Sequence, residues 1–130
     1  MPVNEAFGWI WILVGFVTGL ALGLFFHRDD WLGGYTSFRR RLLRLGHISF
    51  IGLGFLNILF ALSAAHLSLG RGALALASGA LIVGGITMPL CCALMAWRRG
   101  LHVLFAIPVA SLLLGVALVV RGLLAPGKLA

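Results

Sequence analysis

Long apolar runs separated by short polar connections make up almost the whole chain. The runs cover about residues 7–26, 42–66, 73–97 and 101–124. Each run has at least the roughly 20 residues that an α-helix needs to cross the hydrocarbon core of a bilayer. The pattern therefore predicts an all-α fold, an integral membrane bundle of four transmembrane helices that forms a single domain over residues 1–130.

Capping residues and prolines help to predict where these helices begin and where they bend. The polar connection after the first run ends in Ser37, a residue type that commonly caps helices, so the second helix should begin near Phe38. A helix from Phe38 to His66 is longer than the hydrocarbon core is thick, and its first turns should lie among the lipid head groups. Pro89 predicts a kink in the third helix, and Pro108 is an internal proline of the fourth.

The composition supports a membrane location. Hydrophobic residues make up 62% and charged residues 10% of the chain, and the mean hydropathy is +1.11. The net charge of +7 resembles that of a nucleic-acid-binding protein, but most basic residues flank the apolar runs. There they fit contacts with anionic lipid head groups, and we expect no nucleic-acid partner. The residues expected at the head groups are Arg39, Arg40, Arg41, Arg44, Arg98 and Arg99.

The basic residues divide unevenly between the two sides of the predicted membrane. The connections after the first and third spans carry Arg28, Arg39, Arg40, Arg41, Arg44, Arg98 and Arg99, whereas the other side carries Arg71, Arg121 and Lys128. Because cytoplasmic loops are enriched in Lys and Arg, this asymmetry predicts a cell inner-membrane protein with both termini in the periplasm. Trp9 and Trp11 are then expected at the outer membrane interface.

Four glycines fall on one side of the first helix. Gly8, Gly15, Gly19 and Gly23 are spaced by seven, four and four residues. Small residues at such spacing let a second helix approach closely, so this side is a predicted packing face. The sequence leaves open whether the partner helix belongs to this chain or to another subunit.

Two histidines near the same side of the membrane are candidate cofactor ligands. His47 on the second helix and His102 on the fourth would face each other across a bundle, as the paired axial ligands of a b-type haem do. The neighbouring arginines would pair with the haem propionates. The competing interpretation is that both imidazoles lie at the membrane interface with their polar tips in the head groups.

Asn57 is the one amide deep within an apolar run, about midway between Arg44 and Arg71. An unpaired amide near the bilayer midplane is costly, so it needs a partner. A structural interhelical hydrogen bond is one interpretation, and a contact to a quinone or other ligand carbonyl is the other. The side chains available as structural partners are Thr18, Ser78, Thr87 and Ser111.

Four sulfur-bearing residues share one face of the third helix. Met88, Cys91, Cys92 and Met95 recur at helical spacing, and thiolate and thioether ligands suit Cu(I). Met and free Cys are also ordinary fillers of apolar helix faces, so a copper site competes with simple packing.

The residue types and motifs that are missing from the predicted spans narrow the functions that the protein can have. No Asp, Glu or Lys lies within a span, whereas ion-coupled transporters place such groups there, and no catalytic motif occurs. We therefore expect a non-enzymatic accessory or structural subunit of a larger membrane complex, with respiratory or photosynthetic electron transfer as the setting. A b-type haem or quinone-binding electron-transfer subunit and a Cu(I)-binding membrane protein are the alternatives.

Overall fold

The computed structural model describes residues 1–125, which form four long helices and no β-strand. Each helical region is long and apolar enough to cross a bilayer, so the predicted all-α, multi-pass membrane fold is confirmed. The α-helices are α1 (Pro2–Gly23), α2 (Phe38–Ser63), α3 (Arg71–Trp97) and α4 (Ala106–Leu123). Short 3-10 segments cover Trp31–Gly33, Ala64–His66 and Arg99–Phe105.

Helix α1 begins at Pro2, earlier than the predicted start near residue 7. Proline suits the first turn of a helix because its missing N–H needs no partner there and its φ is already helical. The earlier start makes Asn4 a residue of the membrane helix. Its side chain is fully buried, which a loop residue at the end of a bundle would not need to be.

The start of α2 follows the prediction. The Ser37 hydroxyl oxygen accepts a hydrogen bond from the Arg40 backbone N–H at 3.2 Å, which caps the helix that begins at Phe38. The same hydroxyl donates to the Leu32 carbonyl at 2.8 Å and so ties the cap to the preceding turn. That turn passes through Gly33 at a φ of 87°, a left-handed conformation that costs glycine little because it has no Cβ.

The prolines of α3 and α4 each free one backbone carbonyl. Helix α3 continues through Pro89, which has no N–H to donate to the Gly85 carbonyl four residues earlier. The indole Nε1–H of Trp11 on α1 donates to that carbonyl instead, at 2.9 Å. The indole N–H of Trp11, a residue that we expect at the outer membrane interface, is thus bonded to another helix of the protein.

Pro108 lies near the start of α4. The residues before it, which we predicted to belong to one continuous span from about 101, form the 3-10 segment Arg99–Phe105, and α4 begins at Ala106. Pro108 thus lies in the first turn of the helix, where a missing N–H is tolerated. The Leu104 carbonyl four residues before it accepts a weak hydrogen bond from the Cys91 thiol of α3, at 3.5 Å.

The four helices pack in the order of the sequence. Helix α1 packs on α2, α2 on α3 and α3 on α4, while the direct contact between α1 and α3 is small. The arrangement is an open layer in which α1 and α4 form the two flanks. One buried apolar cluster, centred on Phe60 and Leu81, lies at the end of the layer that carries the N-terminus, and a second, centred on Leu42 and Met95, lies at the opposite end.

The glycine face of α1 packs on α2 of the same chain. A Cβ placed on Gly8 would lie 2.6 Å from the Gly54 carbonyl oxygen, and one on Gly54 would lie 2.8 Å from that of Gly8. Gly15 and Gly19 are equally close to α2 side chains, whereas a Cβ on Gly23, where α1 ends, would meet nothing within 4 Å. The open question about the partner is therefore answered for three of the four glycines, and Gly23 is not part of the packing face.

The connection between α1 and α2 closes around Arg40, which we had expected among the lipid head groups. Only 3% of Arg40 is exposed. Its guanidinium nitrogens donate to the carbonyls of Phe26 at 3.3 Å and Arg28 at 3.5 Å. Its central carbon lies 5.3 to 5.7 Å from the ring centres of Phe26, Trp31 and Tyr35. Cation–π contacts and carbonyl acceptors thus take the place of lipid phosphates, so the prediction for this arginine was wrong.

The other five arginines of the predicted head-group set remain accessible. Arg39, Arg41, Arg98 and Arg99 are exposed, and Arg44 is half-buried over the Tyr35 ring. All five belong to the end of the layer formed by the connections after α1 and α3. We call this end the arginine-rich end.

Candidate functional site

Asn57 belongs to a buried polar cluster that joins three helices. Asn4 Nδ2 on α1 donates to Asn57 Oδ1 at 2.8 Å, and the Ser78 hydroxyl of α3 donates to Asn4 Oδ1. Asn57 Nδ2 donates to the Leu53 carbonyl at 2.9 Å and lies 3.4 Å from the Leu81 carbonyl. Both side-chain amides are fully buried and bonded to protein groups. The cluster therefore fits the structural interpretation of Asn57 rather than a ligand contact.

The partner of Asn57 is not among the four side chains proposed from the sequence. Its amide bonds to Asn4, and Ser78 joins the cluster only through Asn4. Asn4 was overlooked because α1 was expected to start after it. Since Asn4 lies in the first turn of α1, the cluster is also closer to the N-terminal end of the layer than the predicted midplane.

A groove of about 480 Å³ opens between α1 and α3 toward the arginine-rich end, with α2 as its floor. The contacts that join α1 to α3 lie at Asn4, Phe7 and Trp11, and the groove occupies the space beyond them. Thr18 and His47 are the polar side chains of its lining apart from Trp11, whose N–H is already bonded. The remaining lining residues are Ala21, Leu22, Leu42, Leu43, Gly46, Phe50, Ile86, Pro89, Leu90 and Ala93.

His47 is held against α1 by Thr18 and Gly19. The nearest ring carbon of His47 lies 2.7 Å from the position that a Cβ on Gly19 would occupy. Any larger residue at position 19 would therefore displace the ring. Its Nδ1 lies 3.2 Å from the Thr18 hydroxyl. That hydroxyl lies 2.9 Å from the Val14 carbonyl and 3.0 Å from the Gly15 carbonyl, so its single proton is directed to the helix backbone.

This arrangement favours one tautomer of a neutral His47. Because the Thr18 hydroxyl has two backbone carbonyls within reach, the contact favours the tautomer in which the Thr18 oxygen accepts from His47 Nδ1–H. The other ring nitrogen, Nε2, then carries a lone pair, and the described part of the chain offers it no hydrogen-bond donor. In this tautomer His47 has one hydrogen-bond acceptor, on a residue of a largely apolar groove.

The structure does not bring His47 and His102 together. His47 is turned toward α1, whereas His102 is exposed on the 3-10 segment Arg99–Phe105, which packs mainly on α3. Neither imidazole contacts the other within residues 1–125. The two residues therefore do not form the facing pair of axial ligands that a bridging haem would need.

The sulfur-bearing residues of α3 face different neighbours. Cys91 donates to the Leu104 carbonyl, and Cys92 packs against Gly46 of α2. Met95 belongs to the apolar cluster around Leu42. Among residues 1–125, no three His, Cys, Asp or Glu side chains gather as a metal site would require. These contacts fit the packing interpretation of Cys91, Cys92 and Met95, and Met88 is partly buried on the same helix.

Comparison with known proteins adds no assignment to this geometry. A scan against protein-family models, a search of curated proteins and a search of solved structures return no significant match to this chain.

Proposed function

We propose that this chain is a non-enzymatic membrane protein that binds an apolar ligand with a hydroxyl-bearing head group in the groove beside His47. The observation that carries the proposal is the His47 imidazole, which lines an apolar groove of about 480 Å³ and whose Nε2 has no hydrogen-bond partner within residues 1–125. Pockets of a few hundred Å³ with few, well-placed polar groups are typical of small-molecule sites.

The ligand is expected to come from the bilayer. Ala21 and Leu90 line the groove and are exposed on helices long and apolar enough to span a membrane. An apolar chain that reaches the groove from the lipid phase exchanges one apolar environment for another. The hydrogen bond to His47 then supplies the selectivity, because lipid tails offer no competing partner.

The head group must donate a hydrogen bond, since His47 Nε2 offers a lone pair. A quinol hydroxyl meets this requirement and a quinone carbonyl does not, because a carbonyl can only accept. The quinone-binding alternative therefore moves from Asn57, whose amide is already bonded, to His47. Electron transfer in a respiratory or photosynthetic membrane remains the setting we propose.

The proposal is tested by titrating the purified protein with a short-chain quinol and following tryptophan fluorescence, since Trp11 lines the groove. His47→Ala should weaken binding by about tenfold, which corresponds to the loss of one hydrogen bond in a dry site. Ala21→Trp should abolish binding because the indole fills the groove. The oxidised quinone should bind the original protein more weakly than the quinol.

Ala75→Trp is the matched control for filling the groove. Ala75 is exposed on α3 and does not line the groove, so the same substitution there should leave quinol binding unchanged. Equal losses at Ala21 and Ala75, or undiminished binding by His47→Ala, would rule out the groove as the site.

For the orientation, we propose that the arginine-rich end faces the cytoplasm of a cell whose inner membrane holds the protein. The connections after the first and third spans carry seven arginines, among them Arg39 and Arg98, and these support the orientation by the positive-inside rule. Both termini are then periplasmic. A reporter fused after Ala130 should be active only when exported, and activity confined to the cytoplasm would reverse the assignment.

A second candidate role is that of an accessory subunit in a larger membrane complex. The observation in its favour is the open layer, whose flanks expose large apolar side chains such as Phe16 and Leu20 on α1 and Leu113 on α4. The glycine face no longer supports this role, because it packs internally. Isolation at native expression level in a mild detergent would show stoichiometric foreign subunits if the role is correct, and a lone chain if it is not.

A further inference from the structure

A second cleft, of about 460 Å³, lies at the arginine-rich end and is separate from the His47 groove. It is formed where the α1–α2 connection and the start of α2 meet the end of α3 and the segment that follows it. Its charged lining residues are Arg39 and Arg99. The remaining lining residues are Leu32, Gly33, Ser37, Phe38, Ala96 and Trp97.

The two guanidinium groups of this cleft come from distant parts of the chain. Arg99 is held over the Phe38 ring, with its central carbon 4.8 Å from the ring centre. Phe38 is the residue next to Arg39, and both arginines line the same cleft. A cation–π contact leaves the N–H groups at the edge of the guanidinium free to bind a ligand.

Neither arginine is neutralised by a carboxylate. Within residues 1–125 the one salt bridge joins Arg28 to Asp30, at 3.9 Å, and neither residue lines the cleft. Two like charges that share a cleft repel each other, and an anion bound between them relieves that repulsion. The first turn of α2 also lines the cleft, so the partial positive charge of a helix start adds to the same field.

We propose that this cleft binds a phosphate group, held jointly by Arg39 and Arg99. Guanidinium groups bind phosphate oxygens through paired N–H donors, and the arginine-rich end lies where the phosphates of lipid head groups are found. The apolar walls, which include Trp97, suit the glycerol and upper acyl carbons of a phospholipid. The phosphate therefore comes either from an anionic phospholipid or from a free phosphate in the adjoining water.

Native mass spectrometry of the purified full-length chain tests the proposal and separates the two sources. The protein is delipidated in detergent and titrated in parallel with short-chain phosphatidylglycerol and with inorganic phosphate, and the bound mass identifies the ligand. We expect one tightly bound phosphate-containing species in at least one arm. Arg39→Gln and Arg99→Gln should each weaken its binding by about tenfold, because each removes one charge-assisted pair.

The chain provides a matched control for each variant. Arg41 and Arg98 are exposed neighbours of the two cleft arginines and do not line the cleft, so Arg41→Gln and Arg98→Gln change the net charge equally. They should leave the affinity unchanged. Equal weakening by all four variants would show diffuse charge attraction and overturn the site, as would failure of both probes to bind the original protein. Circular dichroism of each variant confirms that the helices are retained.

Discussion

Replacing Gly54 with alanine should lower the stability of the protein by about 2 kcal/mol or more, because it forces α1 away from α2. A Cβ at this position would lie 2.8 Å from the Gly8 carbonyl oxygen and 2.9 Å from a side-chain carbon of Ile12. The first of these neighbours is backbone and cannot move aside by a rotamer change. Thermal unfolding in detergent, followed by the helical circular-dichroism signal, measures the effect.

Gly52→Ala provides the control for Gly54→Ala. Gly52 lies on the same helix, but a Cβ there would meet nothing within 4 Å. Alanine favours a helix more than glycine does, so this variant should keep or slightly raise the stability. If the two variants behaved alike, helix propensity would explain both results and the close packing of α1 on α2 would be contradicted.

Asn57→Ala is expected to cost about 2 kcal/mol, which is large for a membrane protein, where single interhelical hydrogen bonds average well below that. The substitution removes the acceptor of Asn4 Nδ2 and leaves a fully buried amide with one fewer partner. Reversible unfolding in mixed micelles at increasing denaturing detergent gives the change in free energy directly.

A double-mutant cycle with Asn4→Ala distinguishes coupling from simple loss of volume. If the two amides are bonded, the double variant should lose less stability than the sum of the two single variants. Thr87→Ala is a comparison for a local bond, because the Thr87 hydroxyl donates to the Val83 carbonyl of its own helix. Its cost should stay below about 0.5 kcal/mol, and strict additivity at Asn4 and Asn57 would contradict the cluster.

The four helices could be predicted because each apolar run carries its own evidence for spanning a bilayer. The cap at Ser37 was also readable, since the hydroxyl bonds to a backbone group only three residues away. The early start of α1 and the 3-10 segment at the start of the fourth span were not predicted, and both lie beside prolines. Pro2 and Pro108 occupy first turns of helices, where proline fits, and the prediction treated neither as the mark of a helix start.

The interior of the layer was harder to predict because its polar groups bond across helices. Trp11 donates to a carbonyl that Pro89 frees far along the chain, and Arg40 bonds to carbonyls of a connection that looks merely polar in the sequence. Hydrophobicity and net charge do not encode these pairings. A general rule could have found the first of them: an internal proline in a membrane helix frees a carbonyl, and a nearby donor is needed to bond it.

The candidate groove illustrates the same limit. Sequence reasoning selected His47 and Gly19 separately, as a haem ligand and as a packing residue. The structure places the imidazole directly on the glycine and bonds it to Thr18, one residue away. The sequence does not show which side chain fills the space beside Gly19 or which group bonds to Thr18. Both become clear only when α1 and α2 are in contact.

The order of helix packing has a consequence for biosynthesis. Each large interface joins a helix to the next one made, so a helical hairpin can close as soon as its second helix has been inserted. The hydrogen bonds from the Ser78 hydroxyl to Asn4 Oδ1 and from Trp11 Nε1–H to the Gly85 carbonyl are different, because they must wait until α3 has emerged. Until then Asn4 Oδ1 lacks its donor on α3 and Trp11 Nε1–H lacks its acceptor there. Truncation before α3 therefore leaves a chain whose first helix is inserted but incompletely bonded.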